Sequence, residues 1–252
     1  MLIAERHQQI LAIVKKHKTI STNELIDLVF VSPATLRRDL IKMEKNGLIK
    51  RSFGAVSLID SLSETSIYIR SQEQIKEKKQ IANACMPLLG DNSSYFIDSS
   101  STIGVLLQLF DRFKNSTIIT NGIDNARILA ETKLLKTYIT PGLINYTTNS
   151  IIGIDAINYI NSFNCNYFIF SCTGVNVNGI NEANFEQNAI KKAMLTNSKT
   201  KILLVDHTKF DKIYLSKTVN FNKIDYIITD KQPRSEYLEI FKEANVNLIV
   251  TS

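Results

Sequence analysis

Val31–Arg51 reads VSPATLRRDLIKMEKNGLIKR, a helix with a basic outer face followed by a glycine turn and further basic residues. Ser32 suits an N-cap, and Pro33 falls at the first helical position, where its missing N–H costs nothing. At about 100° per residue, Leu36, Leu40 and Met43 share one stripe. Ala34, Thr35, Arg38 and Lys42 lie on the opposite side, where a DNA major groove would meet them. Arg38, facing the groove squarely, has the fork that pairs both acceptors of a guanine. Arg37 lies on the flank, placed to hold a phosphate without reading sequence.

The residues before this helix turn it into a motif. Glu5–His17 carries Ile10, Leu11, Ile13 and Val14 at helical spacing, and Ser21-Thr22-Asn23-Glu24 opens a second helix with the spacing of a capping box. Leu25, Leu28 and Val29 supply that helix's apolar face, and Phe30-Val31 is a connection short enough for a helix-turn-helix. After the third helix, Asn46-Gly47 reads as a left-handed stop, and Leu48–Leu58 reads as two short strands around Ser52-Phe53-Gly54. Three helices and a hairpin make a winged helix, with Lys50 and Arg51 on the wing. A small helical bundle with a solvated charged face fits the same pattern. Charge favours the first reading, since residues 1–60 hold ten Lys or Arg against six Asp or Glu, four of the whole chain's net +6. That is the footprint of a phosphate-binding module.

With 252 residues and 44% hydrophobic composition, the chain exceeds a typical single domain and can bury a substantial core. No apolar run approaches the roughly 20 residues that span a bilayer, and the N-terminus is helical and charged rather than signal-like, so a cytoplasmic protein with no membrane partner is expected. Cys85, Cys165 and Cys172 form no CxxC pair and read as buried reduced thiols. His7, His17 and His207 are too scattered for a metal cluster, and neither a metal nor a cofactor is expected. Serines and threonines break the pattern over residues 59–77, which divides the chain into a winged helix (1–58), a linker (59–77) and a second domain (78–252).

From residue 80 helix-like and strand-like patterns alternate. Strands are predicted at 95–97, 117–120, 136–140, 167–172, 202–205, 226–229 and 246–250, with helices between most of them. Ile81–Leu89 and Thr102–Phe113 read as helices, and Pro141–Ile152 as a loop. Such alternation predicts an α/β domain with a mostly parallel sheet. Polar or glycine-bearing turns follow the strands: Asp98-Ser99-Ser100-Ser101-Thr102, Asn121-Gly122, Pro141-Gly142, Thr173-Gly174 and Asp206-His207-Thr208-Lys209. In a parallel sheet these ends share one edge, where ligands of open α/β domains bind. The hydroxyl-rich run entering a helix suits a phosphate, although it also serves as a plain helix cap.

ERHQQILAIVKK followed by STNELIDLVFVSPATLRRDLIKMEKNGLIKR resembles the DeoR-type bacterial transcriptional regulators, whose signature includes a Thr-hydrophobic-Arg-Arg-Asp-Leu recognition helix. Phe30 stands in the turn where that family usually has Gly, and its Gly-Gly after the wing is here Phe53-Gly54-Ala55. The resemblance continues through the second domain. The family's Asp-x-Gly-Thr-Thr loop looks like Asp98–Thr102, with Ser100 replacing Gly; its Thr-Asn is Thr120-Asn121, and its Asp-Ser-Ser-Lys-Phe is Asp206–Phe210. Arg70 and Lys78 match a family Arg and Lys eight positions apart, and Lys191 also matches, while Gln187 and Ala189 replace family acidic residues.

The resemblance implies a repressor of sugar-metabolism genes whose α/β domain, similar in fold to sugar-phosphate isomerases and CoA transferases, senses a phosphorylated sugar. The implied DNA contacts are Ser32, Ala34, Thr35, Arg37, Arg38, Lys42, Lys50 and Arg51. The expected effector contacts are Lys78, Asp98, Ser99, Ser100, Ser101, Thr102, Asn121, Gly142, Gly174, Lys191, Asp206 and Lys209. The expected partners are double-stranded operator DNA, a phosphorylated sugar and further copies of the chain, because one winged helix makes few base contacts. The alternative is an isomerase-like or CoA-transferase-like enzyme with an added N-terminal module, using Asp98, Glu186, Asp206 and Lys209 for acid, base and phosphate contact. A protein-interaction scaffold is a third class, separated from a DNA binder by salt dependence.

Overall fold

The computed structural model describes residues 3–45, 48–57, 66–132 and 134–251. The Asn46-Gly47 stop, Leu58 and the residues 59–65 of the expected linker lie outside them. The chain divides into two compact units, Met1–Arg70 and Ser71–Ser252.

The first unit contains α1 (Ile3–His17), β1 (Thr19–Ser21), α2 (Thr22–Val29), α3 (Pro33–Lys45), β2 (Lys50–Ser52) and β3 (Ala55–Ser57), and α4 (Ile67–Gln72) begins at its end. The capping box forms as expected: the Glu24 N–H donates to Ser21 Oγ at 3.2 Å and the Ser21 N–H to Glu24 Oε2 at 3.1 Å. Ile10, Val14, Leu25, Val29, Leu36, Leu40, Met43 and Val56 fill one core. Leu28, expected on the apolar face of α2, is instead 44% exposed. Leu25 and Val29, four residues apart, suffice to seat so short a helix, and Leu28 falls beside rather than on their line. β1 was not legible in the sequence. It pairs with β3, which also pairs with β2, so the wing is a three-stranded antiparallel sheet in the order β1-β3-β2. The stretch 59–77 expected as linker holds α4 and the first residues of the next helix, and the two units part within it.

The second unit runs α5 (Ile75–Cys85), β4 (Ser94–Ile97), α6 (Ser101–Leu107), β5 (Ser116–Thr120), α7 (Ile123–Ala130), β6 (Leu135–Ile139), β7 (Leu143–Asn145), β8 (Ser150–Ile152) and α8 (Ile154–Ile160). It continues through β9 (Cys165–Phe170), β10 (Gly174–Asn176), β11 (Gly179–Glu182), α9 (Phe185–Thr196), β12 (Ser198–Leu204), β13 (Ser216–Val219), β14 (Tyr226–Thr229), α10 (Ser235–Glu243) and β15 (Asn247–Val250). Seven strands form one all-parallel sheet in the order β15-β14-β12-β9-β4-β5-β6. Both faces are covered: Phe96, Phe168, Phe170 and Leu203 point to one core, and Tyr95, Ile97, Ile169 and Ile202 to the other. Burial on both faces explains why these strands read as short continuous apolar runs. From β4 the order proceeds one way to β5 and β6, and the other way to β9, β12, β14 and β15. The reversal lies between β4 and β9, and the crevice at their carboxyl ends is where such a sheet accepts a ligand.

Two sequence expectations change here. Pro141–Ile152, expected as a loop, forms the antiparallel hairpin β7–β8. Its three-residue strands are too short to show periodicity, and its turn is held by Asn145 Oδ1, which accepts from the Thr147 and Thr148 N–H groups at 3.0 and 3.3 Å. Thr102–Phe113 is not one helix, since α6 ends at Leu107 and a short 3-10 turn follows at Phe110–Arg112. No helix among the described residues is long and apolar enough to cross a membrane.

All three cysteines are free and buried. Burial raises every thiol, Cys165 to about 11 and Cys85 and Cys172 further still. Thiolate is the reactive form. A thiol-specific chromogenic disulfide at pH 8 is therefore expected to modify none of the three in the native protein and all three in denaturant. Rapid labelling of any one before unfolding contradicts this.

Candidate functional site

The third helix presents its residues as its spacing requires. Ser32 Oγ accepts the Thr35 N–H at 3.2 Å and lies 2.9 Å from Thr35 Oγ1, fixing the start of α3. Leu36, Leu40 and Met43 are buried, while Ser32, Ala34, Arg37, Arg38 and Lys42 are exposed and Thr35 is half-buried. Arg38 lies along its own helix, Nε donating to the Ala34 carbonyl at 3.3 Å. On the wing, Lys50 is exposed, but Arg51 is tied back to α3: its N–H donates to Glu44 Oε1 at 2.9 Å and its guanidinium lies 3.6 Å from Glu44 Oε2. Phe30 closes α2 in the left-handed conformation, φ 56°, its N–H donating to the Ile26 carbonyl at 2.9 Å. The turn therefore forms without glycine, at a steric cost that its ring, 90% exposed, does not recover by packing.

Asp39 is the residue of the Arg-Arg-Asp-Leu run that sequence reading passed over. It is buried and accepts from Arg6, Nε to Oδ2 at 2.5 Å and Nη2 to Oδ1 at 3.1 Å, with His7 Nε2 3.2 Å from Oδ1. Three residues after Leu36, it falls on the core side, where a carboxylate requires a cation. Burial pushes its carboxyl up, but Arg6 and His7 outweigh that and hold it below the ordinary carboxylate range. The resulting stability is present above the ordinary carboxylate range and is lost as pH falls through the lower folded value. Asp39→Ala is expected to cost about 2–3 kcal/mol and to flatten the acid limb of the winged unit's melting temperature. An unchanged melting profile between pH 2 and 5 contradicts this role.

The sheet switch point gathers most of the other expected residues. Asp98, at the end of β4, is buried. Its Oδ1 accepts from the N–H and hydroxyl of Ser100 at 3.0 and 2.7 Å, and its Oδ2 from the Ser171 N–H, beyond β9, at 3.3 Å. Lys191 Nζ, from α9, lies 3.3 Å from Asp98 Oδ2, donates to the Ser171 carbonyl at 2.7 Å and bonds Glu182 of β11. Burial pulls the Lys191 ammonium down, but the charges of Glu182 and Asp98 prevail and raise it. Thr173 Oγ1 donates to Glu182 Oε2 at 2.6 Å. Asn121 and Ser99 both approach Gln187 Oε1, at 3.4 and 3.5 Å, and Gln187 Nε2 donates to Thr148 Oγ1 at 3.0 Å and to Ser150 Oγ. Lys78, buried, donates to Ser101 Oγ at 3.1 Å, and Thr102 is buried behind it.

The remaining expected residues divide. Lys209 ends the short turn that follows β12, its N–H donating to the Asp206 carbonyl at 3.1 Å, and its charge lowers the Cys172 thiol slightly against the larger effect of burial. Asp206 is buried and caps its own turn, its Oδ1 accepting from the N–H and hydroxyl of Thr208. Gly174 is required by packing, because a Cβ there would strike the Lys212 carbonyl, Asn181 Oδ1 and the Tyr214 ring. Gly142 holds φ +137° against the Ile152 carbonyl of β8. Glu186 is exposed. Glu182 and the contact between His207 Nδ1 and Asp230 Oδ2, at 2.5 Å, were not found from sequence. Glu182 sits in a four-residue strand with no readable period. Asn121 Oδ1 is buried with no hydrogen-bond partner among the described residues, an unsatisfied acceptor beside Gln187.

A winged helix-turn-helix followed by a parallel α/β unit with a polar crevice at its switch point defines a DNA-binding regulator with an attached sensor domain. The chain belongs to the DeoR family of transcriptional regulators: residues 6–62 match the DeoR-like helix-turn-helix domain and residues 73–231 the DeoR C terminal sensor domain. It is 27% identical over 245 residues to the glycerol-3-phosphate regulon repressor of Escherichia coli (strain K12), covering 97% of each chain. It is 29% identical over 249 residues to the HTH-type transcriptional regulator IolR of Bacillus subtilis (strain 168), covering 98% of each. Among solved structures, ribose 5 phosphate isomerase A from Neisseria gonorrhoeae overlaps 54% of each chain at 14% identity, with a TM-score of 0.39.

Proposed function

We propose that the protein is a cytoplasmic repressor that binds double-stranded operator DNA as a homo-oligomer and leaves it when a phosphorylated sugar occupies the crevice. The observation that carries the reading is α3, whose apolar stripe is wholly buried while Arg37, Arg38 and Lys42 stand in solvent. Thr35 and Arg38 read bases; Ser32, Ala34 and Lys42 line the same face; Arg37, Lys50 and Arg51 hold phosphates. For the effector, Lys78 and Lys209 supply positive charge and Ser99–Thr102 supply hydroxyls, while Asn121 Oδ1 accepts from a sugar hydroxyl. One relative is named for a glycerol-3-phosphate regulon, and a phosphorylated polyol is the chemistry these groups suit. An enzymatic role is disfavoured, because two of the groups it would use are engaged in holding the fold: Asp98 by Ser100, Ser171 and Lys191, and Asp206 by the Thr208 N–H.

The test is an electrophoretic mobility shift with the DNA upstream of the protein's own gene, titrated with phosphorylated sugars and polyols, beside thermal melts with the same compounds. At least one compound is expected to raise the melting temperature, as a ligand selective for the native state does, and to weaken the DNA complex, DNA weakening that compound's binding by the same factor. Lys209→Met should abolish the thermal shift while leaving DNA binding intact. A panel in which nothing alters DNA binding overturns the sensing half, and turnover of ribose 5-phosphate above background restores the enzyme alternative.

A further inference from the structure

The wing ends in an aromatic ring that no described residue covers. Phe53 has a relative exposure of 110%, at the tip of the hairpin whose strands pair Ser52 with Ala55. The tip itself is firmly held. Gly54 takes φ +72°, a left-handed position open to glycine, and its carbonyl accepts from the Thr22 N–H at 2.8 Å and the Thr22 hydroxyl at 3.1 Å. Val56, next but one along, is fully buried. The backbone is therefore fixed from three directions, by α2, β1 and the core, and the Phe53 side chain is carried into solvent on a rigid support. Burial of so exposed a ring against a partner would add a favourable apolar contact.

The neighbours define that partner. Lys50 and Arg51 precede the ring on β2, which packs beside α3, and Glu44 of α3, which pairs with Arg51, lines the same hollow as Phe53, so the ring borders the face proposed above to meet DNA. Beside a helix seated in the major groove comes a phosphate strand, and beyond it the minor groove. At about 6 Å wide the minor groove excludes a two-stranded ribbon but admits a single side chain. Apolar side chains entering there partly unstack a base step and kink the duplex. We propose that Phe53 is such a wedge: it enters the minor groove flanking the site read by α3 and adds a preference for an easily unstacked pyrimidine–purine step that no hydrogen bond reads. The inference rests on α3 meeting DNA, as proposed above.

The full-length protein is used to select duplexes from a randomised pool, and the selected duplexes are resynthesised with 2-aminopurine at each flanking step. Binding of the unaltered protein is expected to raise 2-aminopurine fluorescence at one flanking step and to bend the duplex in a circular-permutation gel. Phe53→Ala should abolish both signals, erase the flank preference and weaken binding about tenfold, the scale of one base-level contact, while the core sequence preference and the melting temperature stay unchanged. Phe53→Leu, still a wedge, should restore most of the signal. If Phe53→Ala keeps the flank preference and the fluorescence rise, the wedge is overturned and the ring serves a protein contact instead, with DNA reading by α3 untouched. If the unaltered protein selects no sequence at all, the DNA reading itself fails, and the wedge with it.

Discussion

Lys191→Met is expected to destabilise the α/β unit by about 3–5 kcal/mol, the cost of leaving buried charges without their partner, and to lower its melting temperature by roughly 10 °C. Lys191 is 7% exposed and stands between two carboxylates that are each 2% exposed. Its removal leaves Asp98 and Glu182 as like charges in a dry site, and also frees the Ser171 carbonyl. Adding Glu182→Gln to Lys191→Met should recover part of the loss, because one buried charge is then gone. The pH dependence follows from the raised ammonium. A cation whose folded value lies above its unfolded value contributes fully below the unfolded value and loses that contribution as pH rises through the folded one. The cluster should therefore weaken only in strong alkali. Arg127→Ala, which removes an ion pair whose members are 70% and 76% exposed, serves as the contrast and should change stability immeasurably. Urea titration of both variants decides the matter, and equal small losses overturn the assignment of Lys191 as the link between β4, β9 and α9.

The features legible in sequence were those with a repeating physical signal. Leu36, Leu40 and Met43 gave the α3 face by spacing, Ser21 and Glu24 gave the capping box by chemistry, and the seven parallel strands gave themselves away as apolar runs ending in Asp, Asn, Gly or Thr. What stayed hidden were elements of three or four residues. β1, the β7–β8 hairpin and the β10-β11-β13 sheet are too short for periodicity, and their register is set by tertiary contacts. The site was half legible for a related reason. Asp98, Asn121 and Lys209 stand at strand ends, where topology alone predicts function, whereas Glu182 becomes part of the cluster only because β11 folds beneath α9. Asp39 was legible in principle, as an acidic residue on the apolar side of its helix, facing Arg6 and His7 from α1. Arg51 illustrates the opposite case. Its charge and position on the wing are plain in sequence, but the Glu44 carboxylate that holds it is a property of the fold.

Arg38→Ala is expected to cost about 1–3 kcal/mol on the selected operator and to relax the preference at one base position, whereas Lys50→Ala should weaken all sequences alike and reduce the slope of log affinity against log salt by about one. The difference comes from placement on the folded unit. Arg38 is exposed on the face opposite the buried stripe and is held only by a 3.3 Å bond to the Ala34 carbonyl, so in the proposed complex its fork would exchange that bond for the two acceptors of a guanine. Lys50 is exposed on the wing, where in the proposed complex a point charge would meet phosphate. Arg51 is the informative third member. Because Glu44 neutralises it in the free protein, Arg51→Ala should lower affinity less than Lys50→Ala, and Glu44→Ala should tighten binding to operator and random duplex together. Fluorescence anisotropy with operator and scrambled duplexes at several salt concentrations measures all four variants at once. Equal losses on operator and scrambled DNA for Arg38→Ala exclude base reading by that residue, and a Glu44→Ala variant that binds no more tightly excludes Arg51 from the phosphate contact.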